Sequence, residues 1–113
     1  MTTIAQPVPE LPVADLDKAR AYYCDKLGFK NAWAHSEIAA VTRNKATVFF
    51  RLSGQPIAPQ RHWIFADDID ATFFEMQTSG ALIVDQLSNK PWGLRQFTVQ
   101  DPDGHQFYIH HDA

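Results

Sequence analysis

The chain has 113 residues, 45% of them hydrophobic and 20% charged, with a formal net charge of −3 and one cysteine. That balance gives one compact unit with a buried core and excludes a disordered chain, a fibrous chain and an internal disulfide. The lack of a concentrated basic patch argues against a nucleic-acid partner. No run is apolar and long enough to span a bilayer, and Met1 to Pro7 lack the basic start and apolar core of a secretion signal, so no membrane partner and a cytoplasmic location are expected.

The first predicted strand runs from Val8 to Val13. Pro7, Pro9 and Pro12 cannot all donate to a central ladder, so this strand either lies at an edge or leaves its own module to pair with a second subunit. A helix follows: Asp15 caps it, Leu16, Ala19, Tyr23 and Leu27 recur at helical spacing, and Gly28 stops it. Three strands are expected next, around Phe29 to His35, Ile38 to Thr42 and Thr47 to Leu52, separated by polar turns such as Arg43-Asn44-Lys45. Residues 54–60 are rich in turn formers and read as a linker.

The same order then repeats. A strand from Arg61 to Ala66 leads to a helix capped by Asp68, with Ile69, Phe73 and Met76 on one face and Gly80 as its stop. Strands follow at Leu82 to Leu87, Arg95 to Gln100 and His105 to His110. The caps Asp15 and Asp68 are 53 positions apart and the stops Gly28 and Gly80 are 52 apart, which marks a duplicated module. The expected fold is α+β: two βαβββ modules, about 4–53 and 61–111, within one domain 1–113, each small mixed sheet covered by one helix.

The last two strands carry the clearest pattern. In the turn between them, Asp101-Pro102-Asp103-Gly104, proline presets φ, the aspartates bond nearby amides and glycine accepts positive φ. Phe97, Val99, Phe107 and Ile109 then share one face, while Gln96, Thr98, Gln100, Gln106, Tyr108 and His110 share the other. A one-residue slip would exchange the two faces, so the turn decides which side chains meet the core and which meet a ligand.

Val13-Ala14-Asp15-Leu16, Tyr22-Tyr23, Leu27-Gly28-Phe29, Asp67-Asp68-Ile69-Asp70, Pro91-Trp92-Gly93 and Asp101-Pro102-Asp103-Gly104 occur in this order across nearly the whole chain. Together they resemble the vicinal oxygen chelate superfamily, which includes glyoxalase I, extradiol dioxygenases, fosfomycin resistance transferases and bleomycin resistance proteins. The resemblance implies paired modules forming a cup, completed across a homodimer, with a divalent metal in the enzymes. The family's ligand positions map onto Val8, seven residues before the capping Asp15; Arg61, six before the Asp67-Asp68 pair; and Tyr108, four beyond Gly104. The strand Val48 to Leu52, another source of a ligand in many members, has no acid. None of these is a good divalent ligand, so no metal and no other cofactor is expected.

Other candidate chemistry is thin. His110 and His111 are adjacent on a strand and point to opposite faces, and no other histidine pair has ligand spacing. Cys24 has no neighbouring base, and the Asp15/Asp17 and Asp68/Asp70 pairs stand where helix caps belong. What remains in the cup is aromatic and polar. Arg61, Trp63 and Phe65 point inward from one strand, Tyr108 and His110 from another, and Trp33, Trp92 and one residue of the Phe49-Phe50 pair add walls. Phe50 is taken as the wall, although alternation does not settle which of the two points inward. The expected ligand-binding set is therefore Trp33, Phe50, Arg61, Trp63, Phe65, Trp92, Tyr108 and His110.

Among family members this pattern is most similar to the bleomycin resistance proteins, implying a metal-free, homodimeric protein that sequesters a bleomycin-like or other aromatic or cationic compound without catalysis. The alternatives are a metal-dependent enzyme of the glyoxalase or dioxygenase type with a displaced metal site, and a non-catalytic module that senses a drug or metabolite.

Overall fold

A computed structural model describes residues 2–113; Met1 lies outside them. The element order is β1 (Glu10–Val13), α1 (Leu16–Leu27), β2 (Lys30–Ala34), β3 (Ile38–Arg43) and β4 (Ala46–Leu52). It continues with β5 (Arg61–Phe65), α2 (Ile69–Ser79), β6 (Leu82–Asn89), β7 (Leu94–Gln100) and β8 (Gln106–Asp112). The strands form two four-stranded mixed sheets, ordered β1-β4-β3-β2 and β5-β8-β7-β6. In each, the outer strand β1 or β5 runs parallel to its neighbour and the remaining pairs are antiparallel. The expected α+β class and βαβββ order are therefore present.

β1 starts two residues later than the alternation suggests. Val8 precedes it and is 40% exposed, and Pro9 contributes only its carbonyl, which accepts from Phe49 N at 3.0 Å. The prolines place β1 at a sheet edge, one of the two expected outcomes, and it pairs within its own chain.

Both helices end as their sequences dictate. The Asp15 carboxylate accepts from Lys18 N at 3.0 Å and the Asp68 carboxylate from Ala71 N at 3.1 Å, satisfying amides that a helix start leaves open. Gly28 and Gly80 take φ of 76° and 88°, a left-handed turn that a side chain resists. At Gly28 a Cβ would also come within 2.6 Å of the Arg43 guanidinium, which caps the helix by donating to Leu27 O at 2.8 Å.

Ala19, Tyr23 and Leu27 of α1, and Ile69 and Met76 of α2, bury their side chains against Leu11, Val13, Val41, Val48, Phe50, Phe97, Val99, Phe107 and Ile109 from the sheets. Tyr23 sits where the halves meet. Its ring stands edge-on to Phe29 (5.7 Å) and Phe50 (4.8 Å) of the first half and to Phe107 (6.1 Å) of the second. Its hydroxyl donates to Asp101 Oδ2 at 2.7 Å, while Asp101 Oδ1 accepts from the amides of Asp103 and His105, both at 2.9 Å. The fully buried His105 accepts from Gln60 N at Nδ1 (3.0 Å) and donates from Nε2 to Pro12 O (2.7 Å). Because Pro12 O only accepts and Gln60 N only donates, these partners specify the neutral ring with its proton on Nε2.

The result is a slab of 42 × 41 × 23 Å. One broad face carries the helices and the other is bare sheet. Burial pushes the Asp101 carboxyl above its usual range, opposed by the bonds from the Tyr23 hydroxyl and from the amides of His105 and Asp103. Removing the phenol while keeping the ring strips the buried acid of its one side-chain donor. Tyr23→Phe is therefore expected to destabilise the protein by about 1–3 kcal/mol at neutral pH, read as a lower urea midpoint at unchanged slope. An unshifted midpoint would remove this contact from the account of the fold.

Candidate binding face

The bare face of the second sheet is arranged in cross-strand rows set by the pairing register. Arg61, Gln106 and Gln100 form one row, Trp63, Tyr108 and Thr98 the next, and Phe65, His110 and Gln96 the third. Successive rows lie two residues, or roughly 7 Å, apart along the strands. The Trp63 ring is 4.6 Å from Tyr108 and 5.4 Å from His110, and Phe65 is 6.0 Å from His110, so four aromatic side chains form one cluster. Trp63 is 53% and Phe65 63% exposed. A cluster of large rings left open on one side of a sheet is a candidate contact surface.

Trp92 precedes β7 and is also exposed; its indole N–H donates to Gln96 Oε1 at 2.9 Å, and Gln96 stands opposite His110. That bond ties the Trp92 loop to the third row. Gly93, at φ 89°, permits the turn. His110 Nδ1 is buried without a hydrogen-bond partner.

The first sheet is different. Trp33 lies 5.1 Å edge-on to Phe49 and 5.7 Å from His35, in a row with Ala40 and Glu10. Beside that row the Glu10 carboxylate takes two bonds from the Arg51 guanidinium, at 2.6 and 3.2 Å, and this partner lowers its pKa. Within one chain, then, Trp33 joins a separate aromatic group from Trp63, Phe65, Tyr108 and His110.

One predicted residue is on the wrong side. Phe50 is fully buried against Tyr23 on the helix face, and Phe49 occupies the open face in its place. The pairing explains the exchange: Phe50 lies opposite Leu11, whose side chain is in the core, and Phe49 opposite Glu10. His62, Ile64, Phe107 and Ile109 turn toward the helices. Gln96 and Thr98, both nearly buried in the floor of the face, were not among the candidates because their polarity alone does not single them out.

The model of the glyoxalase/bleomycin resistance protein/dioxygenase superfamily matches residues 3–109. The chain belongs to this superfamily. It is 26% identical to a bleomycin resistance protein of Geobacillus stearothermophilus, over 87% of this chain and 89% of that protein. Among solved structures it is similar to TioX from Micromonospora sp. ML1, with a TM-score of 0.86, 26% identity and coverage of 96% and 99%. It also shares its fold with the bleomycin-binding protein of Streptomyces verticillus in complex with copper(II)-bleomycin, at a TM-score of 0.80, 21% identity and coverage of 96% and 97%.

The enzymes of this superfamily hold a divalent metal, and the donors present here do not fit one. Val8 lies outside the strand, Arg61 brings a positive charge, Tyr108 a neutral phenol, and among the described residues no three His, Cys, Asp or Glu side chains converge.

Burial holds both His62 and His110 below the usual histidine value of 6.5. A histidine whose folded pKa is depressed binds fewer protons folded than unfolded, so its contribution is complete above 6.5 and is lost as pH falls through the folded value. The melting temperature is therefore expected to drop as the pH falls below about 6.5, and to drop less in a His62→Gln/His110→Gln double variant. An equal drop in both proteins would assign the acid sensitivity to other groups.

Proposed function

We propose that this protein binds a bleomycin-type glycopeptide antibiotic without transforming it, stacking the flat rings of the ligand on the aromatic face of the second sheet. The observation that carries this reading is the Trp63-Tyr108-His110-Phe65 cluster on the open face, with Trp63 and Phe65 exposed and Tyr108 standing at one of the positions where an enzyme of the family would need a metal ligand. The likeness to a bleomycin resistance protein and to a bleomycin-binding protein supports the choice of ligand.

Two such chains form the working unit in this reading. Open faces that keep Trp33 exposed on the first sheet and Trp63, Phe65 and Trp92 exposed on the second are incomplete enclosures, and apposition of a second copy would turn them into clefts. Sequestration would then act by mass action, lowering the free antibiotic available to its target.

Calorimetric titration of chelator-treated protein with metal-free and copper-loaded bleomycin tests the reading, with tryptophan fluorescence followed in parallel. Submicromolar binding near two ligands per dimer, with quenching, is the expected result. Trp63→Ala should weaken binding by ~0.5–2 kcal/mol, the range for one aromatic or cation–π contact. Absence of binding would remove the antibiotic as ligand; binding unaffected by Trp63→Ala would move the site elsewhere. Stoichiometric divalent metal in purified protein, with turnover abolished by chelator, would favour the enzyme reading instead.

A further inference from the structure

We propose that Arg61 makes this face charge-selective, so that it takes most strongly a planar aromatic compound carrying an anionic group one strand step from the stacked ring. The inference rests on the stacking reading above and adds the charge of the group beside the stacked ring; a bleomycin-type ligand, which is cationic, would then have to direct its charged groups away from Arg61.

Arg61 is exposed and lies one row from the Trp63-Tyr108 pair. The ion pairs among the described residues engage Arg20, Arg43, Arg51, Lys90 and Arg95; no carboxylate lies within ion-pair distance of Arg61. The acids that share the bare face are already neutralised or remote. Glu10 is held by Arg51, and Asp85, opposite Thr98, is held by Lys90 at 2.7 Å. Asp112 stands six residues beyond Gln106 on β8, roughly 20 Å from the Arg61 row. In the nearby turn, Asp101 accepts from Tyr23 and two amides, and Asp103 from Ala14 N at 3.1 Å.

The face near the rings therefore presents one uncompensated cation. Its neighbours in the row, Gln106 and Gln100, are joined by a bond of 2.9 Å and bring no charge. A guanidinium is a planar fork that matches a carboxylate, sulfonate or phosphate in two parallel bonds, and its long side chain spans the roughly 7 Å between rows. A ring stacked on Trp63 and Tyr108 would thus place an attached anion within reach of Arg61 and bring an attached cation against a like charge.

Three probes that share one ring system and differ in charge separate charge from stacking: naphthalene carboxylate, the neutral carboxamide and the methylammonium analogue, titrated at low salt into wild type, Arg61→Gln and Trp63→Ala, with circular dichroism to verify folding. The carboxylate is expected to bind about fivefold more tightly than the ammonium compound, the scale of a solvent-exposed ion pair, with the carboxamide between them. Arg61→Gln should erase that order while leaving carboxamide affinity unchanged, and Trp63→Ala should weaken all three while keeping the order. A carboxylate that binds no better than the ammonium probe, or a preference that survives Arg61→Gln, overturns the role of Arg61 and leaves stacking intact. Carboxamide binding untouched by Trp63→Ala overturns the stacking reading itself, and absence of binding by all three overturns both.

Discussion

The structure depends on the small polar knot around Asp101. One carboxylate, removed from water, is held by a phenol from α1 and by two backbone amides of its own turn, and the adjacent imidazole of His105 bonds to the chain just before β5 and to a carbonyl of β1. Each buried polar group in this cluster is satisfied by the others, so no member can be displaced without leaving a partner bare in a low-dielectric interior. The cluster therefore joins the first edge strand and the first helix to the last hairpin, from which the sequence separates them by 93 positions at Pro12 and His105 and by 78 at Tyr23 and Asp101.

From that constraint the aromatic face follows. The bonds to Asp101 Oδ1 close the turn in one geometry, and the turn fixes which residues of β7 and β8 oppose one another. Given that register, Phe97, Val99, Phe107 and Ile109 must enter the core, because the helices cover that side, and Tyr108 and His110 must remain on the other. The parallel pairing of β5 with β8 then sets Trp63 beside Tyr108 and Phe65 beside His110. The aromatic cluster is thus a consequence of register, with no loop needed to assemble it.

Most of this was legible because the signals were redundant. Both helices carry an acidic cap, an apolar stripe and a terminal glycine, and each signal alone would have located them. The hairpin alternates cleanly on both arms, so its faces were readable without a partner. The run Val48-Phe49-Phe50 does not alternate, since three consecutive apolar residues fit either face; only the pairing with β1, where Leu11 is buried, decides that Phe50 goes inward. The start of β1 was misread for a related reason: Val8 has strand-like character, but Pro9 has no N–H to give and the ladder begins after it. The knot itself was half visible. The turn aspartates were evident, whereas their link to Tyr23 spans 78 positions and had no local trace.

The two halves share a topology, yet their open faces have diverged at matching places, and this divergence bears on function. Glu10 and Arg51 occupy in the first sheet the diagonal that Trp63 and His110 occupy in the second, across the same kind of parallel strand pair. In one half that diagonal is a half-exposed ion pair at 2.6 Å; in the other it is a pair of rings 5.4 Å apart. An exposed ion pair and a cross-strand pair of rings each add at most about 1 kcal/mol to stability, so the fold does not require one arrangement over the other. The ion pair consumes its own charges and offers a ligand little beyond a rim, whereas the rings have their faces free. A binding role for the second sheet accounts for a difference between the halves that packing does not require.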